Sequence, residues 1–172
     1  MEYPCEGSVV GDLKASLQAL IENVEPGQND WKLRVEGFRK QFTAQPPIPL
    51  LPEIREVLPQ EGILSVDAHA IGYATHDEFP VVDPSNFLFP NISVALGYAF
   101  PAALGAKAAH PDKSVVCFTG DGGFMMGSSE LSTAMKYGMN VVTIIVNDRS
   151  LSAIKGSQQK YHEGRIIDVD LH

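Results

Sequence analysis

Three short apolar runs constrain this chain more than any other feature. Gly62 to Asp67, Ser114 to Thr119 and Val141 to Val146 each read as a strand, and the last shows no polar–apolar alternation. Strands of that kind are usually buried on both faces, as in parallel sheets. Parallel neighbours need a crossover, and the intervening sequence supplies helices. Ala95 to His110 reads as a small-residue helix closed by Pro111-Asp112; Ser128 or Ser129 caps a second helix, which Gly138 stops. The order strand–helix–strand–helix–strand predicts an α/β fold, a doubly wound parallel sheet with flanking helices. Between them, Ala68 to about Asn91 reads as a polar loop. Three parallel strands leave open edges, and Ile166 to His172 shows neither a cap nor a polar tail. The expectation is a domain truncated at its C-terminal side.

The segment before the first strand is helical. Asp12 can cap a helix whose Leu13, Leu17, Leu20, Ile21 and Val24 recur at helical spacing, and Pro26-Gly27 ends it. A second helix is expected from about Asp30 to Gln41, with Trp31, Val35, Phe38 and Phe42 on one face. The breaker Pro46-Pro47-Ile48-Pro49 marks the best boundary. Residues 1–45 are then a helical tail of a preceding domain or a linker, and residues 46–172 form the main domain. Directly after the breaker, Leu51, Ile54, Val57 and Leu58 predict a short helix ended by Pro59.

Charge and cysteine content narrow the function classes. Thirteen basic against twenty-one acidic side chains give a net charge of −8, without the basic face that nucleic acid or an anionic membrane would need. Residues 84–106 carry no charge, yet Asn86, Pro90, Asn91, Gly97 and Pro101 interrupt them, so a buried loop and helix fit better than a membrane span. Cys5 and Cys117 form neither a metal-ligand spacing nor a disulfide framework. Cys117 lies inside an apolar run and reads as a reduced core thiol. With no basic region followed by an apolar core at Met1 to Gly7, the expectation is a cytoplasmic protein.

In open parallel sheets, ligands bind beyond the carboxyl ends of the strands. Those ends are Asp67-Ala68-His69, Gly120-Asp121-Gly122-Gly123 and Asn147-Asp148-Arg149-Ser150. Glycines let a backbone approach a phosphate closely, and here three of them surround one carboxylate. Asp121, Asn147, Asp148 and the carbonyl of Ser150 are all oxygen donors. A donor set without a His or Cys cluster points to Mg²⁺ or Ca²⁺ rather than zinc. A Gly-Asp-Gly after a strand is by itself a common turn. It is neither a P-loop, since no Gly-Lys-Ser/Thr follows, nor a dinucleotide fingerprint, which would need glycine at Met125.

The pairing of two strand ends is more specific. Gly120-Asp121-Gly122, then residues 123–146, then Asn147-Asp148 resembles the Gly-Asp-Gly…Asn-Asn signature of thiamine-diphosphate enzymes. Glu130-Leu131-Ser132-Thr133-Ala134 and the Val141–Val146 strand look like the same family, and Leu96-Gly97-Tyr98-Ala99-Phe100-Pro101-Ala102-Ala103 is similar to its segment under the cofactor. From about Ile48 onward the chain is most similar to the acetolactate synthase and benzoylformate decarboxylase-like group, in its C-terminal diphosphate-binding domain. The resemblance implies Asp121, Asp148 and the Ser150 carbonyl as Mg²⁺ ligands. It implies diphosphate contacts from Gly122 and Gly123 beside Gly120. Leu96 falls where the family places a large apolar side chain that bends the cofactor, and the Val94 carbonyl where the aminopyrimidine is bonded. Asp148 departs from the family's Asn and adds a negative charge, which Arg149 either offsets or leaves to solvent. Leu151-Ser152 replaces the frequent Tyr-Gly and leaves substrate preference open. His69 is either a diphosphate contact or an ordinary loop histidine, and Glu130 reads as a helix-start carboxylate.

The family's proton relay needs a glutamate from a pyrimidine-binding domain, usually of a neighbouring subunit, and no part of this chain resembles that domain. No catalytic residue is therefore assigned. The implied protein is the Mg²⁺–thiamine-diphosphate-binding part of a homo-oligomeric enzyme acting on a small 2-oxo acid, with this chain inactive alone. Two rivals remain: a subunit of a two-chain 2-oxoacid oxidoreductase or split decarboxylase, and a non-catalytic Mg²⁺–phosphate module.

Overall fold

The computed structural model describes residues 7–25, 27, 30–42, 48 and 50–171. The chain divides into two compact units, Met1–Gln45 and Pro46–His172. Cys5 and the prolines at 46, 47 and 49 lie outside the described residues. No helix among the described residues is long and apolar enough to cross a membrane.

The first unit holds helices α1 (Leu13–Asn23) and α2 (Trp31–Phe42). Asp12 caps α1 as expected: its Oδ1 accepts the Ala15 N–H at 2.9 Å. The helix closes at Asn23, before the Pro26-Gly27 breaker, with the Val24 N–H bonded to the Leu20 carbonyl.

The second unit is built on four parallel strands, β1 (Ile63–Val66), β2 (Phe87–Leu88), β3 (Val115–Gly120) and β4 (Val142–Val146), in the order β2-β1-β3-β4. Three of these are the predicted runs. The fourth, β2, corrects the three-strand expectation; two residues are too few to show periodicity in sequence. The supposed polar loop also contains helix α4 (Ala70–Glu78) and a 3-10 turn at Pro84–Asn86. Helix α4 escaped detection because its buried positions are Gly72 and Thr75 rather than large apolar residues. Thr75 satisfies its buried hydroxyl on the Gly72 carbonyl at 2.6 Å.

Side chains of the central strands alternate between two cores, which is why helices must cover both faces. Leu64, Val66, Val116 and Phe118 pack on Leu51, Ile54 and Leu58 from helix α3 (Leu51–Val57) and its end, and on Phe79 after α4. Ile63, Val115 and Cys117 pack on Ala99, Phe100, Ala103 and Leu104 of helix α5 (Ala99–Ala109). Burying each large apolar side chain contributes about 1.5–3 kcal/mol. Val57 was expected on the inner stripe but is 78% exposed. Helix α5 starts four residues later than Ala95, because Val94 and Gly97 take φ of 45° and 80° and break the helical path.

The residues after β3 also differ from expectation. Helix α6 (Asp121–Gly127) starts directly at the strand end, and Ser128 and Ser129 fall in a 3-10 turn (Ser128–Glu130) instead of capping the next helix, α7 (Leu131–Tyr137). Gly138 stops α7 in the left-handed region, φ 61°, as predicted. Strand β4 was expected to be buried on both faces, yet Val142 is 60% and Ile145 41% exposed. It forms the sheet edge, with β3 as its only partner strand among the described residues. Helix α8 (Ser152–Tyr161) follows, and the chain returns so that Asp170 pairs antiparallel with Ser150.

Candidate functional site

Register brings the predicted strand ends together. Val66 pairs with Phe118, and Gly120 with Val146, so the segments after β1, β3 and β4 emerge side by side. They border a cleft of about 150 Å³. Whole-ligand pockets typically run about 300–1,000 Å³, so this cleft suits one end of a cofactor. Leu96, Gly120, Asp121, Gly122, Gly123, Asp148 and Ser150 all line it; Val94 does not. Ala68, His69, Ile71 and Tyr73 contribute from the start of α4, and Leu151, Ser152 and Ile154 from the start of α8.

Asp121 is the first residue of α6, and its carboxylate links two strand ends. Oδ1 accepts the Gly122 N–H at 2.8 Å, and Oδ2 accepts the Arg149 N–H from beyond β4, also at 2.8 Å. A carboxylate has about four lone-pair sites, so acceptor capacity remains on both oxygens. Arg149 reaches this bond in a left-handed conformation, φ 58°, and its N–H is shared with Asn147 Oδ1 at 3.1 Å. Its backbone, rather than its guanidinium, contacts the site; among the described residues the only ion pair joins Lys155 and Asp170.

Asp148 is held by hydroxyls. Oδ2 accepts from Ser152 Oγ, and Oδ1 from the Ser150 N–H at 3.0 Å and Ser150 Oγ at 3.2 Å. These bonds, that of Ser152 first, hold the carboxyl below the usual carboxylate range, so it is ionised at neutral pH. Ser150 is clamped on both sides: the Leu151 N–H donates to the Val169 carbonyl at 2.7 Å, and the Leu171 N–H to the Arg149 carbonyl at 2.8 Å. In such an antiparallel pair the middle residue turns its own N–H and C=O away from the partner strand. The Ser150 carbonyl is thus kept off the ladder. This clamp was missed in the sequence, although Ile167-Asp168-Val169-Asp170-Leu171 alternates with period two; Val169 is buried and Asp168 and Asp170 are exposed.

Two further features shape the cleft. A Cβ on Gly122 would lie 2.6 Å from Leu151 Cδ2, and one on Gly123 would lie 2.8 Å from Asp67 Oδ2, so the backbone there is closely approached. His69, N-cap of α4, stacks edge-on against Phe118 at 4.8 Å, and its buried Nε2 has no hydrogen-bond partner among the described residues. Burial lowers its pKa, against the pull of Asp67 and Asp148. Glu130 lies outside the cleft and accepts from Thr133 Oγ1 at 2.7 Å. Among the described residues, no three His, Cys, Asp or Glu side chains converge on a metal position. Two carboxylates and a carbonyl instead fit Mg²⁺, which completes its sphere with water and phosphate.

Residues 69–171 match the family model of the thiamine pyrophosphate enzyme C-terminal TPP binding domain. The acetolactate synthase large subunit of Lactococcus lactis is 28% identical over 94% of this chain and 31% of its own length. The probable acetolactate synthase large subunit of Methanocaldococcus jannaschii is 30% identical over 99% of this chain and 31% of its own. In fold, the chain is similar to the thiamine diphosphate-dependent 4-hydroxybenzoylformate decarboxylase of Rhodococcus jostii, with a TM-score of 0.72 at 24% identity, over 91% of this chain and 30% of that one. The chain therefore spans about three tenths of the length of these relatives. With the matching residues covering α4 to the Ser150 clamp, the chain belongs to the family of C-terminal thiamine-pyrophosphate-binding domains of thiamine pyrophosphate enzymes.

Proposed function

We propose that the cleft anchors the diphosphate end of thiamine diphosphate through Mg²⁺, as part of an enzyme that decarboxylates or ligates 2-oxo acids. The observation that carries this is the Asp121 carboxylate, joined to the end of β4 through the Arg149 N–H, with Asp148 and Ser150 lining the same cleft. Asp121, Asp148 and the Ser150 carbonyl would hold the ion. Gly122 and Gly123 would face the diphosphate, and the unpartnered Nε2 of His69 would add a polar contact to it. Leu96 would support the ring portion from the cleft wall, and the Val94 carbonyl would meet the aminopyrimidine from outside the lining. When bound, the cofactor supplies an electron sink for the carbon that loses CO₂. This chain's own contribution is to bind, orient and neutralise charge.

The acetolactate synthase relatives support the 2-oxo acid reading, and their greater length leaves room for a pyrimidine-binding domain in the same or another subunit. In that arrangement residues 1–45 end a middle domain, and the assembled protein is a cytoplasmic homo-oligomer. Titration calorimetry with Mg²⁺ tests the assignment: thiamine diphosphate should bind at least about tenfold more tightly than ADP, a gap of about 1.4 kcal/mol. Equal affinity for both would make the cleft a general Mg²⁺–phosphate site.

A further inference from the structure

Asp67 directly follows β1 and is 1% exposed. A carboxylate so buried is costly unless each oxygen finds donors. Here Oδ1 accepts the Ala68 N–H at 2.9 Å. Oδ2 accepts the Gly97 N–H at 3.1 Å and the Ala99 N–H at 3.3 Å, and shares the Thr119 hydroxyl, 3.3 Å away, with the Gly120 carbonyl at 3.1 Å. These donors belong to the start of the α4 loop, the turn into α5, and the end of β3. Helix α6 closes the fourth side, since a Cβ on Gly123 would touch Oδ2 at 2.8 Å. The turn at Gly97 in turn packs on α6, where a Cβ would meet Met126 Cβ at 2.8 Å.

One carboxylate therefore ties the turn that carries Leu96 to the segment that carries Gly120 to Gly123. We propose that Asp67 is a positioning residue: it sets the spacing between Leu96 and the glycine segment, and so governs binding of the thiamine portion rather than of the diphosphate. This rests on the cofactor assignment made above. Gly97 precedes α5 and Ala99 is its first residue, positions whose backbone N–H groups lack helical acceptors. An asparagine at position 67 keeps the shape but offers one acceptor oxygen, and its amide nitrogen faces donors. With that oxygen on the Oδ2 side, the Gly97 and Ala99 N–H groups meet a neutral amide in place of a carboxylate, which weakens the tether on the turn.

The test compares the 172-residue chain with its Asp67→Asn variant by calorimetry, using Mg²⁺ with inorganic pyrophosphate and Mg²⁺ with thiamine diphosphate. Pyrophosphate reads the glycine segment and ion alone. The variant should hold pyrophosphate within about threefold of wild type and lose about tenfold or more for thiamine diphosphate, the scale of supporting residues around a metal site. Equal losses for both ligands, or no loss for either, overturn the positioning role while leaving the cofactor assignment intact. A wild-type chain that binds neither ligand overturns both. If Asp67→Asn does not fold, Thr119→Val removes the donor that Asp67 shares with the Gly120 carbonyl, while keeping side-chain shape. It should show the same split, with about a threefold loss confined to thiamine diphosphate, and an equal loss for both ligands overturns the role.

Discussion

The neighbouring glycines Gly122 and Gly123 give a direct test of how the cleft is packed. Each lies in α6 and is buried, so alanine at either gains about 1 kcal/mol of helix propensity. What the new methyl meets differs. At position 122 it would lie 2.6 Å from Leu151 Cδ2 and 3.5 Å from Leu171 Cδ1, both flexible ends of half-buried side chains. A rotation of Leu151 relieves the contact for about 0.5–1.5 kcal/mol, and Gly122→Ala should come out within about 0.5 kcal/mol of wild type. At position 123 the methyl would lie 2.8 Å from Asp67 Oδ2 and 3.0 Å from Thr119 Oγ1. Neither can turn away without leaving buried donors unpaired, since Asp67 and Thr119 are 1% and 0% exposed. Overpacking costs about 1–3 kcal/mol and a broken buried hydrogen bond about 1–3 more. After the helix gain, Gly123→Ala should be destabilised by about 1–5 kcal/mol, and about 3 kcal/mol at the centre of that range lowers the melting temperature by roughly 10 °C for a unit of this size. Urea unfolding followed by circular dichroism, without cofactor, reads the difference directly. Two variants within 0.5 kcal/mol of each other at unchanged m-value (about the resolution of the method) would refute the view that Asp67 and Thr119 are immovable.

Asp121→Ala should weaken Mg²⁺-dependent binding of thiamine diphosphate by at least about 10–100-fold, whereas Asp148→Asn should retain it and Asp148→Leu should not. Equal calorimetric affinity across wild type, Asn and Leu at 148 would remove Asp148 from the ligand set. His69 should make stability depend on pH. Its folded pKa is depressed below 6.5 by burial, so between that lowered value and 6.5 the unfolded chain binds the extra proton. Unfolding free energy should then fall as pH drops from about 7.5 to about 5.5, and His69→Gln should lose that part of the slope. Identical pH profiles would count against a buried neutral imidazole. Burial and the Asp67 charge push the Cys117 thiol up to about 12, so in a Cys5→Ser background a thiol reagent at about pH 8 should label it only as the domain opens. Rapid labelling of native protein would contradict the packed β3 core.

Much of this protein was settled by its sequence alone, because the determinants are local. The continuous apolar runs of β1 and β3 fit strands covered on both faces, as these two are, and the glycines after the second run leave its end open to a close ligand. The chain distance between Asp121 and Asp148 spans one crossover connection, in which α6 and α7 are joined by a 3-10 turn, and one strand, so their placement on one cleft was legible without coordinates. Other features depend on segments distant in sequence. Strand β2 exists because Phe87 and Leu88 lie beside β1, not because two residues have a pattern. The exposure of β4 follows from its position at the sheet edge, which no composition reveals. Asp67 looked like any strand-end carboxylate until its donors arrived from positions 97, 99 and 119. The Ser150 clamp needed the chain to return at Val169 and Leu171. Local pattern decides which backbone a segment adopts. Which buried polar atoms find partners is decided only when separate segments are packed together, since a hydrogen bond needs both ends in place.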